Sequence, residues 1–337
     1  MKVFMIGGTG LLGSEAAREL IARGHEVKCL ALPPLPKGSV LHQDMTVEFG
    51  NFMEMTDTEL KDRMDGCEAF VFAAGIDERV TGPAPIYDIF KKFNIDALKR
   101  LMTLAKEVGI KHAVICGSYF TYFDRVRPKD ELSKWHPYIR SRRDQLNMSL
   151  SFADDDFDVA VLELPYIFGV QPGRKPVWVF LVEQIRNMKN KTMYPKGGTT
   201  MVTVKQVAQA IAGAVERNKG GNVYPIGYYN MSWVEMLTIF HKYMGYTDRK
   251  IVPIPTFLFK LAGRKSLKEH QKANLDPGLH PVKFASLQCS NQFIDKSLAC
   301  DFLGVEPDDI EKAIGDSVKL SLDILDKDID VVDMKGE

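Results

Sequence analysis

The string Gly-Gly-Thr-Gly-Leu-Leu-Gly at residues 7–13 constrains this chain more than any other feature, because it follows the apolar run Lys2 to Ile6 directly and opens an amphipathic helix. A strand, a glycine turn and a helix in that order form a site where backbone can approach a pyrophosphate, since no Cβ intervenes. A helix beginning near Leu11 adds its free amides and the positive end of its dipole. The plainer reading, a glycine turn that merely connects two elements, does not account for the GxxGxxG spacing of Gly7, Gly10 and Gly13 in this context. The turn therefore predicts a dinucleotide-binding segment.

The rest of the first half supports a parallel sheet covered by helices. Short apolar runs at Lys2 to Ile6, Glu26 to Leu30, Ala69 to Ala73, Ala113 to Cys116 and Val159 to Leu164 alternate with helical patterns such as Ala16, Ala17, Leu20 and Ile21, or Leu98, Leu101, Met102 and Ala105. Gly24 and Gly109 are helix stops. Asp154 to Phe157 reads as a solvated turn before a strand. These observations predict an α/β Rossmann fold, a doubly wound parallel sheet with a smaller mixed C-terminal substrate-binding region. The rhythm loosens after about Phe168, so residues 1–168 are expected to form the dinucleotide-binding domain and 169–337 mainly the substrate-binding region. Segments at about 199–217 should pack back onto the first domain. Helical patterns recur at Val179 to Met188, Lys205 to Glu216 and Trp233 to Met244, and the acidic stretch after Asp326 reads as a frayed terminus.

Composition narrows the function classes. Lys plus Arg equals Asp plus Glu at 44 each, which gives no nucleic-acid footprint and no electrostatic membrane anchor. The first apolar run breaks at Gly7, and no stretch approaches the ~20 apolar residues of a transmembrane helix. A cytoplasmic protein is expected. The five cysteines, Cys29, Cys67, Cys116, Cys289 and Cys300, include no CxxC pair and read as reduced thiols, with Cys29 and Cys116 as packing residues. The seven histidines form no HxxxH or HExxH cluster, and no metal is expected.

The identity of the dinucleotide is left open. An acid at the end of the second strand would bind the ribose of NAD, and an arginine nearby would accommodate the extra phosphate of NADP. That place reads Ala31, Leu32, Pro33, Pro34, with Lys37 close behind. NAD or NADP is expected, with at most a modest preference between them.

The glycine turn and the segments after it resemble the extended short-chain dehydrogenase/reductases, which include nucleotide-sugar epimerases and dehydratases. Asn51 and Phe52 fall where that family usually has an aspartate contacting adenine, and Ala73, Ala74 and Gly75 match the segment lying against the cofactor. Asn94 matches the asparagine that opens the family's next helix. AVICGSYFTYF resembles the catalytic-serine strand, with Ser118 as the serine, and Tyr138 to Arg142 resembles YxxxK with arginine in place of lysine. Pro165 and Ile167 lie in a segment similar to the one crossing near the nicotinamide, with Glu163 and Tyr166 where arginine and asparagine are usual. MVTVKQVAQAI and GGNVYPIG match later family segments, with Lys205 where an acid is common.

The resemblance implies a site with Tyr138 as acid/base, Ser118 as partner of the substrate oxygen and Arg142 as electrostatic support, a guanidinium fork standing in for the lysine ammonium. The cofactor would be bound by Gly7, Thr9, Gly10, Leu11, Leu12, Gly13, Ala31, Asn51, Phe52, Ala73, Ala74, Gly75, Asn94, Pro165 and Ile167. Tyr119 and Tyr166 would face the small-molecule substrate. A phenol has a pKa of ~10 and needs a nearby cation to ionise readily. The structural alternatives are a Tyr138–Arg142 packing pair on one helix face, Ser118 as a strand-end cap, Asn94 as a helix N-cap, and Tyr119, Phe120, Tyr122 and Phe123 as ordinary core. Three functions fit. The first is an NAD(P)-dependent oxidoreductase acting on a carbonyl or secondary alcohol. The second is a nucleotide-sugar epimerase or dehydratase with transient internal redox, and the third is a non-catalytic dinucleotide sensor. The helices beginning near Asn94 and Tyr138 imply a homodimer, because the family commonly pairs through them.

Overall fold

The computed structural model describes residues 1–35, 37–38, 41–327, 329 and 331–332. Seven parallel strands form the main sheet. From one edge they run Thr46–Phe49, Glu26–Ala31, Lys2–Ile6, Ala69–Phe72, His112–Cys116, Asp158–Glu163 and Gly221–Pro225. The chain starts in the middle of the sheet, winds to one edge and then crosses to build the other. This is the doubly wound Rossmann order, and it places the turn after Lys2–Ile6 at the point where the winding reverses.

The central strands are apolar throughout because both faces are covered. Every side chain of Ala69–Phe72 is buried. On one face Val3, Met5, Val71, Val114 and Leu162 pack against the helices Leu11–Ala22 and Val204–Arg217. On the other, Phe4, Phe70, Phe72 and Ile115 meet Leu60 and Met64, Leu98 and Leu101, and Leu146. Helix Val204–Arg217 begins with a capping box in which Thr203 and Gln206 satisfy each other's backbone amides. It packs lengthwise on Leu11–Ala22 and leads into the seventh strand, so residues beyond 200 supply both a covering helix and an edge of the sheet.

The remaining chain builds a smaller layer over the C-terminal ends of the strands. Tyr166–Phe168, Gly198–Thr203, Tyr229–Ser232 and Asn291–Gln292 make a short mixed sheet. Behind it Phe168, Trp178, Trp233, Phe240 and Ile314 form a separate apolar core. The acidic segment after Asp326 falls mostly outside the described residues. Val332, however, pairs with the 173–175 segment through two backbone hydrogen bonds, its amide donating to the Gly173 carbonyl (2.9 Å) and its carbonyl accepting from the Lys175 amide (3.1 Å). No helix among the described residues is long and apolar enough to cross a membrane.

Candidate active site

The glycine turn closes because its glycines lack side chains. Gly7 has φ +87°, and a Cβ there would lie 2.6 Å from the Ala73 carbonyl oxygen. A Cβ on Gly13 would lie 2.2 Å from the Gly7 carbonyl oxygen, so helix and strand approach only with glycine at that position. Gly10 differs. A Cβ there would meet only the Gly7 oxygen, at 3.2 Å, and otherwise open space. Gly10 is also the N-cap of helix Leu11–Ala22; it offers no capping side chain, and no acid sits in the first turn. The positive end of this helix is thus left to be met from outside the chain, which is what a bound pyrophosphate does. Thr9, Leu11 and Leu12 ride on the same turn. The residues present therefore fit a dinucleotide.

Ala31 ends the second strand, and its carbonyl accepts from the Gly50 amide at 3.0 Å. Asn51 and Phe52 come next in a turn where Asn51 donates to Glu54 (2.8 Å) and accepts from the Met53 amide (3.1 Å). Asn94 requires a correction. It neither opens nor caps a helix but lies inside one, in a π-helical stretch Lys91–Asp96 between Tyr87–Phe90 and Ala97–Glu107. Its side chain holds both polar groups of Ile76, accepting from the amide (2.9 Å) and donating to the carbonyl (3.1 Å). The widened turn also lets the Asn94 carbonyl accept from Gln145, at 2.6 Å. Asn94 thereby ties the segment Ala73–Gly75–Ile76 to the helix bearing Tyr138.

Ser118 follows strand His112–Cys116, and Tyr138 and Arg142 share helix Pro137–Leu150 one turn apart. The structure brings the three together. The Arg142 guanidinium centre lies 5.8 Å from the Tyr138 ring centroid, and Nη2 donates to the Cys116 carbonyl at 2.7 Å. Nε of Arg142 is buried without a hydrogen-bond partner among the described residues. Burial pushes the Tyr138 phenol up to about 12, while the Arg142 charge and a hydrogen bond with Ser118 pull the other way. Phe90 and Phe120 pack edge-on against its ring.

Tyr119 stands in the wall rather than at an open surface, with its hydroxyl against Thr199 (3.1 Å) and donating to Gln292 (3.0 Å). Tyr166 is half-buried between Tyr119, Trp178 and Trp233. Pro165 and Ile167 flank it, and the Ile167 carbonyl accepts from the Trp178 indole at 2.9 Å. Glu163 is fully buried and pairs with Arg125 (2.5 Å) and Thr121, which fixes helix Phe120–Val126 beside Ser118. Sequence reasoning did not find Glu78. This half-buried carboxyl forms no ion pair among the described residues, and its charge reaches Tyr138, Tyr119, Tyr166 and Arg142. Burial and the neighbouring Asp77 hold it above the ordinary carboxylate range. The segment carrying Gly278 and His280 was missed as well. The Tyr138 amide donates to the Gly278 carbonyl (3.0 Å), and the His280 amide donates to Nδ1 of buried His136 (3.0 Å), whose imidazole burial pushes down to about 4.

The sequence model of the NAD dependent epimerase/dehydratase family matches residues 3–227. The chain belongs to this family and is an NAD-dependent enzyme. It is similar to a curated protein of Stigmatella aurantiaca, 4-hydroxy-2-methyl-3-oxo-4-farnesyl-3,4-dihydroquinoline-1-oxide ketoreductase, with 24% identity over 236 residues, 66% of this chain and 67% of that protein. Among solved structures, the crystal structure of gox2253 superposes with a TM-score of 0.74 at 19% identity, covering 94% of this chain and 97% of the other. MoeE5 in complex with UDP-glucose and NAD gives 0.66 at 17% identity, covering 96% and 100%.

Proposed function

We propose that the enzyme is an NAD(P)-dependent oxidoreductase that interconverts a carbonyl and a secondary alcohol on a small molecule, with Tyr138, Ser118 and Arg142 as its catalytic residues. The observation that carries this reading is the buried Tyr138 phenol, held between the Arg142 guanidinium and Ser118 in an aromatic wall. With its pKa at about 12, the phenol is protonated near neutral pH and serves as a proton donor, the form that carbonyl reduction requires.

A nicotinamide dinucleotide held at the Gly7–Gly13 turn would supply or accept the hydride at the substrate carbon. Ser118 and Tyr138 donate hydrogen bonds to the substrate oxygen. Tyr138 passes its proton to that oxygen as negative charge develops there, and Arg142 stabilises the phenolate left behind. In the reverse direction the same phenolate accepts the proton of the alcohol. Phe90 and Phe120, the latter backed by Phe284, cover the Tyr138 ring and favour an apolar or ring-shaped substrate. The resemblance to a ketoreductase supports net redox. The resemblance to a protein that holds UDP-glucose favours the second reading, a nucleotide-sugar epimerase or dehydratase in which the dinucleotide is restored within one turnover.

A screen of cyclic and aryl ketones with NADH and NADPH, run beside UDP-sugars, separates the two. Ketone-dependent loss of reduced cofactor is the expected result. Isomerisation or dehydration of a UDP-sugar without net cofactor change would replace the first reading by the second. Tight dinucleotide binding with no turnover of either class would favour the sensor. The homodimer belongs to the same proposal, through helices Ala97–Glu107 and Pro137–Leu150; a sedimentation profile showing a monomer throughout the micromolar range would exclude it.

A further inference from the structure

The end of strand Glu26–Ala31 presents neither an acid nor an arginine, yet a second segment, from far along the chain, packs on the loop that follows the strand and carries a cation. Residues 171–174 form a strap across the mouth of the glycine turn. The Gln171 side-chain amide donates to the Thr9 carbonyl (2.9 Å) and to the Ser14 hydroxyl (3.3 Å), so one end is fastened to the turn and to the first helix. Gly173, at φ +74°, lies flat on the loop after the second strand; a Cβ there would be 2.0 Å from the Lys37 carbonyl oxygen. The outer edge is held by the two backbone hydrogen bonds to Val332.

Arg174 sits on this strap. Its Nε donates to Oε1 of Gln171 at 2.8 Å, and among the described residues it forms no ion pair. Partial burial lowers its pKa, and among the described residues no acid opposes the effect. A partly desolvated guanidinium without an anion is unfavourable unless a ligand brings one. Where the strap meets both the glycine turn and the loop after the second strand, the anion that separates the two nicotinamide dinucleotides is the phosphate on the adenosine ribose of NADP. The planar fork of Arg matches a phosphate in shape and charge.

We propose that the Gln171–Arg174 strap is the cofactor-selecting element of this enzyme and that Arg174 recognises the ribose phosphate of NADP. The inference rests on the dinucleotide reading of the site. It replaces the modest preference expected from Ala31 and Leu32 with a preference for NADP set outside the second strand.

The test is a fluorescence titration of the full chain with NADPH and with NADH, wild type beside Arg174→Gln, which keeps a polar side chain beside Gln171 but removes the charge. Wild type should bind NADPH at least roughly tenfold more tightly than NADH, and Arg174→Gln should lose roughly ten- to a hundredfold toward NADPH while leaving NADH unchanged. Arg174→Lys should recover part of the loss. Equal weakening toward both cofactors would mean that Arg174 serves the shared pyrophosphate and would overturn the proposal, as would a wild type without preference. Binding of neither cofactor to wild type would instead remove the dinucleotide reading underneath it.

Discussion

Tyr138→Phe lowers turnover by at least ~100-fold with dinucleotide affinity largely retained, because the variant keeps the ring that packs against Phe90 and Phe120 and loses only the hydroxyl that transfers the proton. Steady-state rates on a ketone found by the screen, together with a cofactor titration, measure both halves of this statement. The pH dependence adds a sharper requirement. Alcohol oxidation needs the phenolate, so its rate climbs as pH rises through the pKa of Tyr138. The Arg142 cation lowers that pKa and the Glu78 carboxylate raises it. Arg142→Ala therefore moves the rising limb to higher pH, and Glu78→Gln moves it to lower pH. Arg142→Lys, which restores the lysine of the YxxxK pattern, keeps one positive charge and activity near or above wild type. A Tyr138→Phe enzyme turning over at the wild-type rate, or Arg142→Ala and Glu78→Gln shifting the limb in the same direction, contradicts the assignment.

The parts of this molecule that could be read in the sequence are those in which a local pattern dictates a local structure. Lys2–Ile6, Ala69–Phe72 and His112–Cys116 are continuous apolar runs because they lie inside a sheet covered on both faces, and the glycine spacing after the first of them reports a backbone approach that a Cβ would block. Tyr138 and Arg142 were legible as a pair because four residues on a helix return to the same face. Asn94 shows where such reading stops. Its sequence context suits a helix start, but the helix already runs from Tyr87, and what fixes Asn94 is a partner 18 positions earlier, Ile76. Tyr119 looked like a pocket residue because it adjoins Ser118, whereas its hydroxyl is committed to Thr199 and Gln292, distant in the chain. Glu78 and Arg174 carry no periodicity at all. Each acquires meaning only from the topology, Glu78 because its charge reaches the phenol and Arg174 because it is hydrogen-bonded to Gln171, which is fastened to Thr9 and Ser14 in the opposite half of the chain.

Gly10→Val abolishes dinucleotide binding while leaving a folded chain. The reason is positional. Gly7 and Gly13 are closed in by the protein's own backbone, so a side chain at either position disturbs the fold itself. A side chain at Gly10 meets one carbonyl oxygen at 3.2 Å and otherwise projects into the space in front of the helix N-terminus, where the pyrophosphate is received. Valine there should be tolerated by the fold with a shift of a few tenths of an ångström at the Gly7 carbonyl, as a circular dichroism spectrum and a cooperative melting transition would show, and should be incompatible with the ligand.

The measurement that bears most directly on the dinucleotide reading is therefore a titration of NADH and NADPH into wild type and into folded Gly10→Val. The account predicts saturable binding of at least one reduced cofactor by wild type and a loss of roughly a hundredfold or more in the variant, about 3 kcal/mol. Unchanged affinity in a folded Gly10→Val protein would show that the glycine turn does not carry the pyrophosphate, and the account built on it would be wrong.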